Sequence, residues 1–209
     1  MMTEIDAELL EEILLFKASK ANSSIAVLEW GCGRSSLYFP SVLNKHGYQF
    51  TWDSLENDRE YFQEFASKLP QDFVTAKNVT FYPDNTLDNV SNIKRHELGN
   101  NHFHVFNLGI VRSPFVMSKP TNLPNGDAYV GLPSKLNQKY DIILVDGRYR
   151  RRCLIESASL MKPDGITLLH DAWRTYYHCA FTDFKHHRRI GEAWWIGSQS
   201  PLDFLVPVS

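Results

Sequence analysis

The strongest constraint on this chain is a set of short apolar runs, each halted by glycine or an acid and most followed by a helical pattern. Ser24–Glu29 runs into Gly31-Cys32-Gly33, Gln49–Leu55 into Glu56-Asn57-Asp58, Tyr140–Val145 into Asp146-Gly147, and Ile166–Leu169 into His170-Asp171. Val79–Tyr82 is a further short run. Runs of this length without polar alternation suit strands buried on both faces of a parallel sheet. The intervening segments read as helices: Ser35–Lys45 with Pro40 near its first turn, Asp58–Lys68 closed by Pro70, Arg151–Met161 stopped by Pro163 and Gly165, and Ala172–Lys185. Ahead of them, Ile5, Leu9, Leu10, Ile13, Leu14 and Phe16 fall at helical spacing over residues 1–20, with Thr3 and Asp6 as a capping pair. Glu192–Ile196 and Leu202–Val206, joined by Gly197–Pro201, read as a closing hairpin. The pattern predicts an α/β fold: a Rossmann-like, mostly parallel sheet with a C-terminal antiparallel hairpin and helices on both faces.

The 209 residues carry no repeat, long charge block or Ser/Gly-rich linker, so one domain is expected over 1–209. Pro83–Asn125 is too long for an ordinary connection and is expected to be an insertion, with a candidate strand at His102–Leu108. An apolar fraction of 43% excludes wholesale disorder, and no apolar run reaches the ~18 residues of a membrane span. A net charge of −2 gives no global reason to bind nucleic acid. Cys32, Cys153 and Cys179 form no C-x-x-C pair and the N-terminus is acidic, so a cytoplasmic location is expected.

In an open parallel sheet, ligands bind beyond the carboxyl ends of the strands, and there the chemistry-bearing residues fall. Glycines at 31 and 33 allow a tight turn and a close ligand approach, and the following helix offers free N–H groups. Glu29, two residues before the first glycine, is awkward beside a pyrophosphate and suits a ligand that carries positive charge. Glu56, ending the second strand, can accept both hydroxyls of a ribose. A nicotinamide-dependent enzyme would also place an acid there, but Glu29 and the absence of a third glycine argue against that reading.

Val27-Leu28-Glu29-Trp30-Gly31-Cys32-Gly33 resembles the first motif of class I S-adenosylmethionine-dependent methyltransferases, with Arg34, Ser35 and Ser36 where the fuller pattern has its last glycine. Tyr140–Gly147 resembles the fourth motif of that family, and Leu160–Gly165 resembles its "LKPGG" turn. The resemblance implies that Glu29, Gly31, Gly33 and Ser35 hold the methionine end of S-adenosyl-L-methionine, and that Glu56 holds the ribose. It places Asp127, in Gly126-Asp127-Ala128, near the adenine, with Asp84 as the rival. Asp146, at its strand end, would face the methyl group or the acceptor.

His170 and Asp171 end the next strand, and either could be a general base. Asp146 and Asp171 could instead share a divalent metal, as in catechol-type O-methyltransferases, but Ala172 stands where that subfamily has an Asn ligand, so the metal is not favoured. Arg148, Arg150, Arg151 and Arg152 follow Asp146 directly. Arginines bind carboxylate and phosphate bidentately, so Arg148 and Arg150 are read as orienting an anionic acceptor group. Val-Asp-Gly-Arg-x-Arg with a later His-Asp is similar to small methyltransferases of polysaccharide modification. The expected reaction is methyl transfer to a small anionic acceptor, with oxygen favoured and a sugar or uronic acid as the candidate. The alternatives are a nicotinamide-dependent oxidoreductase and a non-catalytic binding protein. The basic run Lys185–Arg189 is read as a solvated loop. Trp194 and Trp195 are read as core on one side and pocket rim on the other.

Overall fold

The computed structural model describes residues 3–67, 79–82, 100–108 and 125–204. Its elements run α1 (Glu4–Lys20), β1 (Ile25–Trp30), α2 (Ser35–Lys45), β2 (Phe50–Glu56), α3 (Arg59–Ala66), β3 (Val79–Tyr82), β4 (Asn100–Phe106), α4 (Asn125–Lys135), β5 (Tyr140–Val145), α5 (Arg150–Leu160), β6 (Met161–Leu169), a 3-10 segment (Thr175–Asp183), β7 (His186–Ile190) and β8 (Trp194–Ser198). One sheet forms in the order β3-β4-β2-β1-β5-β6-β8-β7. All pairings are parallel except those of β8 with β6 and β7.

The sheet is covered on both faces, which is why β1 and β5 are almost wholly apolar, while β2 buries Asp53, Ser54 and Glu56 among its apolar residues. Along β1, Ile25 and Val27 join one core with α1 and α2, while Ala26, Leu28 and Trp30 join the other with α4 and α5. The first core includes Leu10, Ile13, Leu14, Phe39 and Trp52; the second includes Leu55, Tyr129, Ile143 and Leu154. α1 begins with the expected capping box, Thr3 and Asp6 satisfying each other's backbone N–H. Pro40 sits inside α2 and cannot donate to the carbonyl of Ser36. The Asn101 side chain on β4 donates to that oxygen instead, at 2.9 Å.

Three expectations change. The segment read as an insertion supplies β4, which lies between β3 and β2 inside the sheet. Its register runs from Thr51↔Asn100 to Glu56↔Val105. The rest of that segment, Asp84 included, lies outside the described residues apart from its flanks. The closing hairpin is β7–β8, turned at Gly191 with φ +56, so the run read as a solvated loop is an edge strand and Leu202–Phe204 is not a strand. An edge strand with one wet face tolerates such a basic sequence, and its charges discourage edge-to-edge pairing. Trp194 and Trp195 are both buried, in opposite cores, and neither forms a rim.

Candidate active site

The chain proceeds from β1 to β2 on one side and later returns to β5 on the other, so the switch point of the sheet lies at β1. Three strand ends converge there: Gly31–Gly33 after β1, Glu56 closing β2, and Asp146-Gly147 after β5. Gly31 adopts φ +97, and its N–H donates to the carbonyl of Leu55 at 2.7 Å. A Cβ at residue 31 would lie 2.5 Å from the Gly147 Cα. The two glycines thus let the ends of β1 and β5 approach backbone to backbone, a contact the sequence motif alone did not reveal.

Glu29 is 1% exposed. Its carboxylate accepts from Ser36 Oγ at 2.6 Å, Ser54 Oγ at 2.9 Å, Trp52 Nε1 at 3.1 Å and the Ser35 hydroxyl. Ser54 is its register partner on β2, and Ser35 and Ser36 open α2. Burial raises its pKa against the pull of these four donors. Glu29 and Ser35 therefore act on each other and tie the glycine loop to β2.

Glu56 is 5% exposed and lies at the mouth of the crevice. Oε1 accepts the N–H groups of Asn57 and Asp58, both at 2.8 Å, and Oε2 accepts the Cys32 N–H at 3.2 Å. Burial outweighs these bonds and pushes its pKa up to about 7. The Cys32 thiol also donates to this carboxylate, and as its weakest donor it is the one a ligand hydroxyl can replace.

The other half of the crevice is built from β5 and β6. Asp146, its side chain 36% exposed, accepts from His170 Nδ1 at 2.8 Å through Oδ1, which also lies 2.7 Å from Arg150 Nη2. His170 is buried behind it, its ring 4.8 Å from that of Trp194. Asp171 takes a left-handed conformation, φ +56, rare for a residue with a side chain and typical of constrained sites. It pairs with Arg150 at 2.9 Å and Arg174 at 3.0 Å. Burial raises the pKa of its carboxyl, but Arg150, His170 and Arg174 outweigh that and hold it below the usual carboxylate range.

Arg150 does not reach outward as an acceptor-binding residue would. Its Nε donates to the Gly147 carbonyl at 3.0 Å, Nη1 to the His170 carbonyl at 3.0 Å and to Asp171, and Nη2 to the Asp146 carbonyl at 2.8 Å. Arg148 is exposed on the turn before α5. Asp127 lies in the first turn of α4, its side chain 73% exposed and paired with Arg152 at 2.5 Å. Sequence reasoning missed the surface nearby. Trp173 is 58% exposed with the Arg174 guanidinium 5.1 Å from its ring centroid, and Tyr176 is exposed under Arg151 at 4.4 Å. The Trp-Arg pair directly after His170-Asp171-Ala172 was the available signal.

The two halves can be tested against the groups they were expected to hold. A divalent cation does not fit the Asp146–Asp171 pair, because the Arg150 guanidinium already lies between these carboxylates. S-adenosylmethionine does fit the first half: a glycine turn at the switch point, a buried carboxylate whose weakest donor is the exchangeable Cys32 thiol, and no cation paired with Glu29 or Glu56 among the described residues.

No protein-family model matches the sequence, and no curated protein matches it in sequence. The structure does match solved ones. A methyltransferase-like protein from Silicibacter pomeroyi shares 18% identity at a TM-score of 0.53, over 90% of this chain and 84% of that one. Human methyltransferase-like protein 13, solved in complex with SAH, shares 15% at 0.53, over 98% of this chain and 86% of that one. The CMeT domain of the citrinin polyketide synthase shares 13% at 0.53; the match covers 95% of this chain and 53% of that structure.

The fold is that of the class I methyltransferases. At these identities the likeness is one of architecture. Among the described residues of this methyltransferase fold, no helix is long and apolar enough to cross a membrane.

Proposed function

We propose that this protein transfers the methyl group of S-adenosyl-L-methionine to a small acceptor, with an oxygen nucleophile favoured and a sugar or uronic acid as the candidate class. The observation that carries this reading is Glu56. A carboxylate buried at a strand end, lifted to about 7, unpaired with any cation among the described residues and bonded in part by a weak thiol donor, is an acceptor that stronger hydroxyl donors can claim. The ribose hydroxyls of the cofactor are such donors. The Gly31–Gly33 turn takes the methionine portion. Glu29 and Ser35 hold that turn from behind, as positioning residues. Asp127 is assigned to the adenine end from the motif resemblance.

The cofactor supplies an activated methyl group on a sulfonium, and the transfer is a direct displacement. The chain therefore has to position the acceptor, exclude water and receive a proton. Asp146 is the strand-end acid best exposed to do this. Its carboxylate accepts the hydrogen bond of the acceptor hydroxyl, takes its proton as the new C–O bond forms, and is oriented by His170. Asp171, held ionised by two arginines, shapes the pocket. With Arg150 committed inside the protein and Arg174 paired with Asp171, recognition of an anionic group passes to Arg148 and to the rim of Trp173, Tyr176 and Arg151. Aromatic faces under guanidinium groups suit a ring that carries a carboxylate or phosphate.

Calorimetric titration with S-adenosylhomocysteine, with NADH as control, tests the proposal. Saturable binding of the first alone, abolished in Glu56→Ala, supports it. Binding of NADH alone would assign the crevice to a nicotinamide and sink the methyl-transfer reading.

A further inference from the structure

We propose that Arg150 is the resident cation of the acceptor-side site, a positioning residue that does within the fold what a bound divalent metal would do for the same carboxylates. Only the naming of Asp146 as acceptor-facing rests on the methyl-transfer reading; the role of Arg150 does not.

The geometry has three parts. First, the guanidinium is saturated by the protein. A planar guanidinium offers five N–H donors in a fixed fork. Here the fork meets the carbonyls of Asp146, Gly147 and His170 and the carboxylates of Asp146 and Asp171, five groups at 2.7–3.0 Å. Second, these five oxygens belong to the ends of two neighbouring strands, β5 and β6, with two charged and three neutral donors of electron density. That is the hard-oxygen set a divalent cation would recruit. Third, the backbone is bent to make this cluster. Asp171 adopts φ +56, and the chain just before α5 passes through Tyr149 at φ +54. Asp171 contacts the guanidinium and Tyr149 precedes Arg150 in the chain, and both conformations are costly for side-chain-bearing residues.

Two consequences follow. Arg150 holds Asp146 Oδ1 from one side while His170 Nδ1 holds it from the other, so the second carboxylate oxygen of Asp146 is fixed in direction. Compensation of the two acids by an internal side chain also makes the site independent of added metal. An arginine that only filled space could be replaced by any side chain of similar bulk. An arginine acting as a cation leaves the two acids one cation short when it is removed, with only Arg174 and His170 still beside them.

The test is Mn2+ binding, followed by electron paramagnetic resonance and thermal melts, on the full chain and on Arg150→Ala. The wild-type protein should leave the free Mn2+ signal and its own Tm unchanged. Arg150→Ala should melt lower, take up Mn2+, and regain about 5–10 °C at metal a hundredfold above its Kd. Adding Asp171→Asn to that variant should abolish both uptake and rescue. If Arg150→Ala does not fold, Arg150→Gln, which keeps a polar side chain, takes its place. Uptake of Mn2+ by the wild-type protein that Asp146→Asn or Asp171→Asn removes would overturn the proposal. So would a folded Arg150→Ala or Arg150→Gln that binds no metal. Each arm is read without S-adenosylhomocysteine, so a failure of cofactor binding and a failure of this proposal are separate results.

Discussion

The two halves of the crevice handle negative charge in opposite ways. At the ends of β1 and β2, Glu29 and Glu56 are surrounded by neutral donors: three serine hydroxyls, one indole and three backbone N–H groups. At the ends of β5 and β6, Asp146 and Asp171 are paired with Arg150, Arg174 and His170. Burial without a cation raises the carboxyl pKa in the first half; arginines lower that of Asp171 in the second. A carboxylate held by neutral donors remains attractive to a cationic, hydroxyl-bearing ligand. A carboxylate already balanced by arginine is a fixed piece of geometry. On the proposed reading, the first half is the cofactor side and the second orients the reaction partner.

The largest effect should come from breaking the balanced half. Arg150→Ala leaves Asp146 with His170 alone and Asp171 with Arg174 alone, takes a donor from three carbonyls, and should cost about 3–5 kcal/mol in urea unfolding. Little change would mean that the fork is not what holds the β5 and β6 ends. Gly31→Ala should follow at about 3 kcal/mol, because it combines a disfavoured φ with a Cβ pressed onto the Gly147 backbone. Glu56→Ala should weaken S-adenosylhomocysteine by about 100-fold, the loss of two hydrogen bonds to a charged group. A loss under threefold would remove Glu56 from the ribose.

The pH dependence sharpens the contrast, since the two halves have opposite signs. Glu56 has a folded pKa near 7, above its unfolded value of 4.5. Its contribution to stability is full below 4.5 and is lost as pH rises through about 7, on the order of 3 kcal/mol. Glu56→Gln should flatten this stretch of the melting profile. Asp171, lowered by its arginines, contributes stability above its unfolded 3.8 that is lost as pH falls through its folded value. Ligand affinity should fall about tenfold per unit below pH 7, because ribose hydroxyls favour the ionised Glu56. The smallest effect should be Trp173→Ala, within about 0.5 kcal/mol of wild-type stability, its consequence confined to the KM of the acceptor.

Much of this was legible from local pattern. The buried strands, the glycine turn and the strand-end acids follow from apolar runs and from what stops them, and each is set within a few residues. The misreadings share a physical cause. The candidate strand at His102–Leu108 is there as β4, but its Asn and His side chains hid that it is buried inside the sheet and not part of an insertion. Asn101 faces the carbonyl that Pro40 leaves free, and His104 is buried against Tyr82 and Asp53. β7 was read as a loop because an edge strand need satisfy only one face. The position of Arg150 just after Asp146 makes it look like an acceptor ligand, whereas its partners lie at the ends of two strands.

The sequence by itself determined which residues stand at the strand ends, since strand, turn and helix signals act over a few residues. Only the tertiary structure decided what each charge faces. A carboxylate or guanidinium is satisfied by whichever partner lies within about 3 Å, and in this fold those partners come from other strands: Ser54 for Glu29, His170 for Asp146, and Asp171 for Arg150.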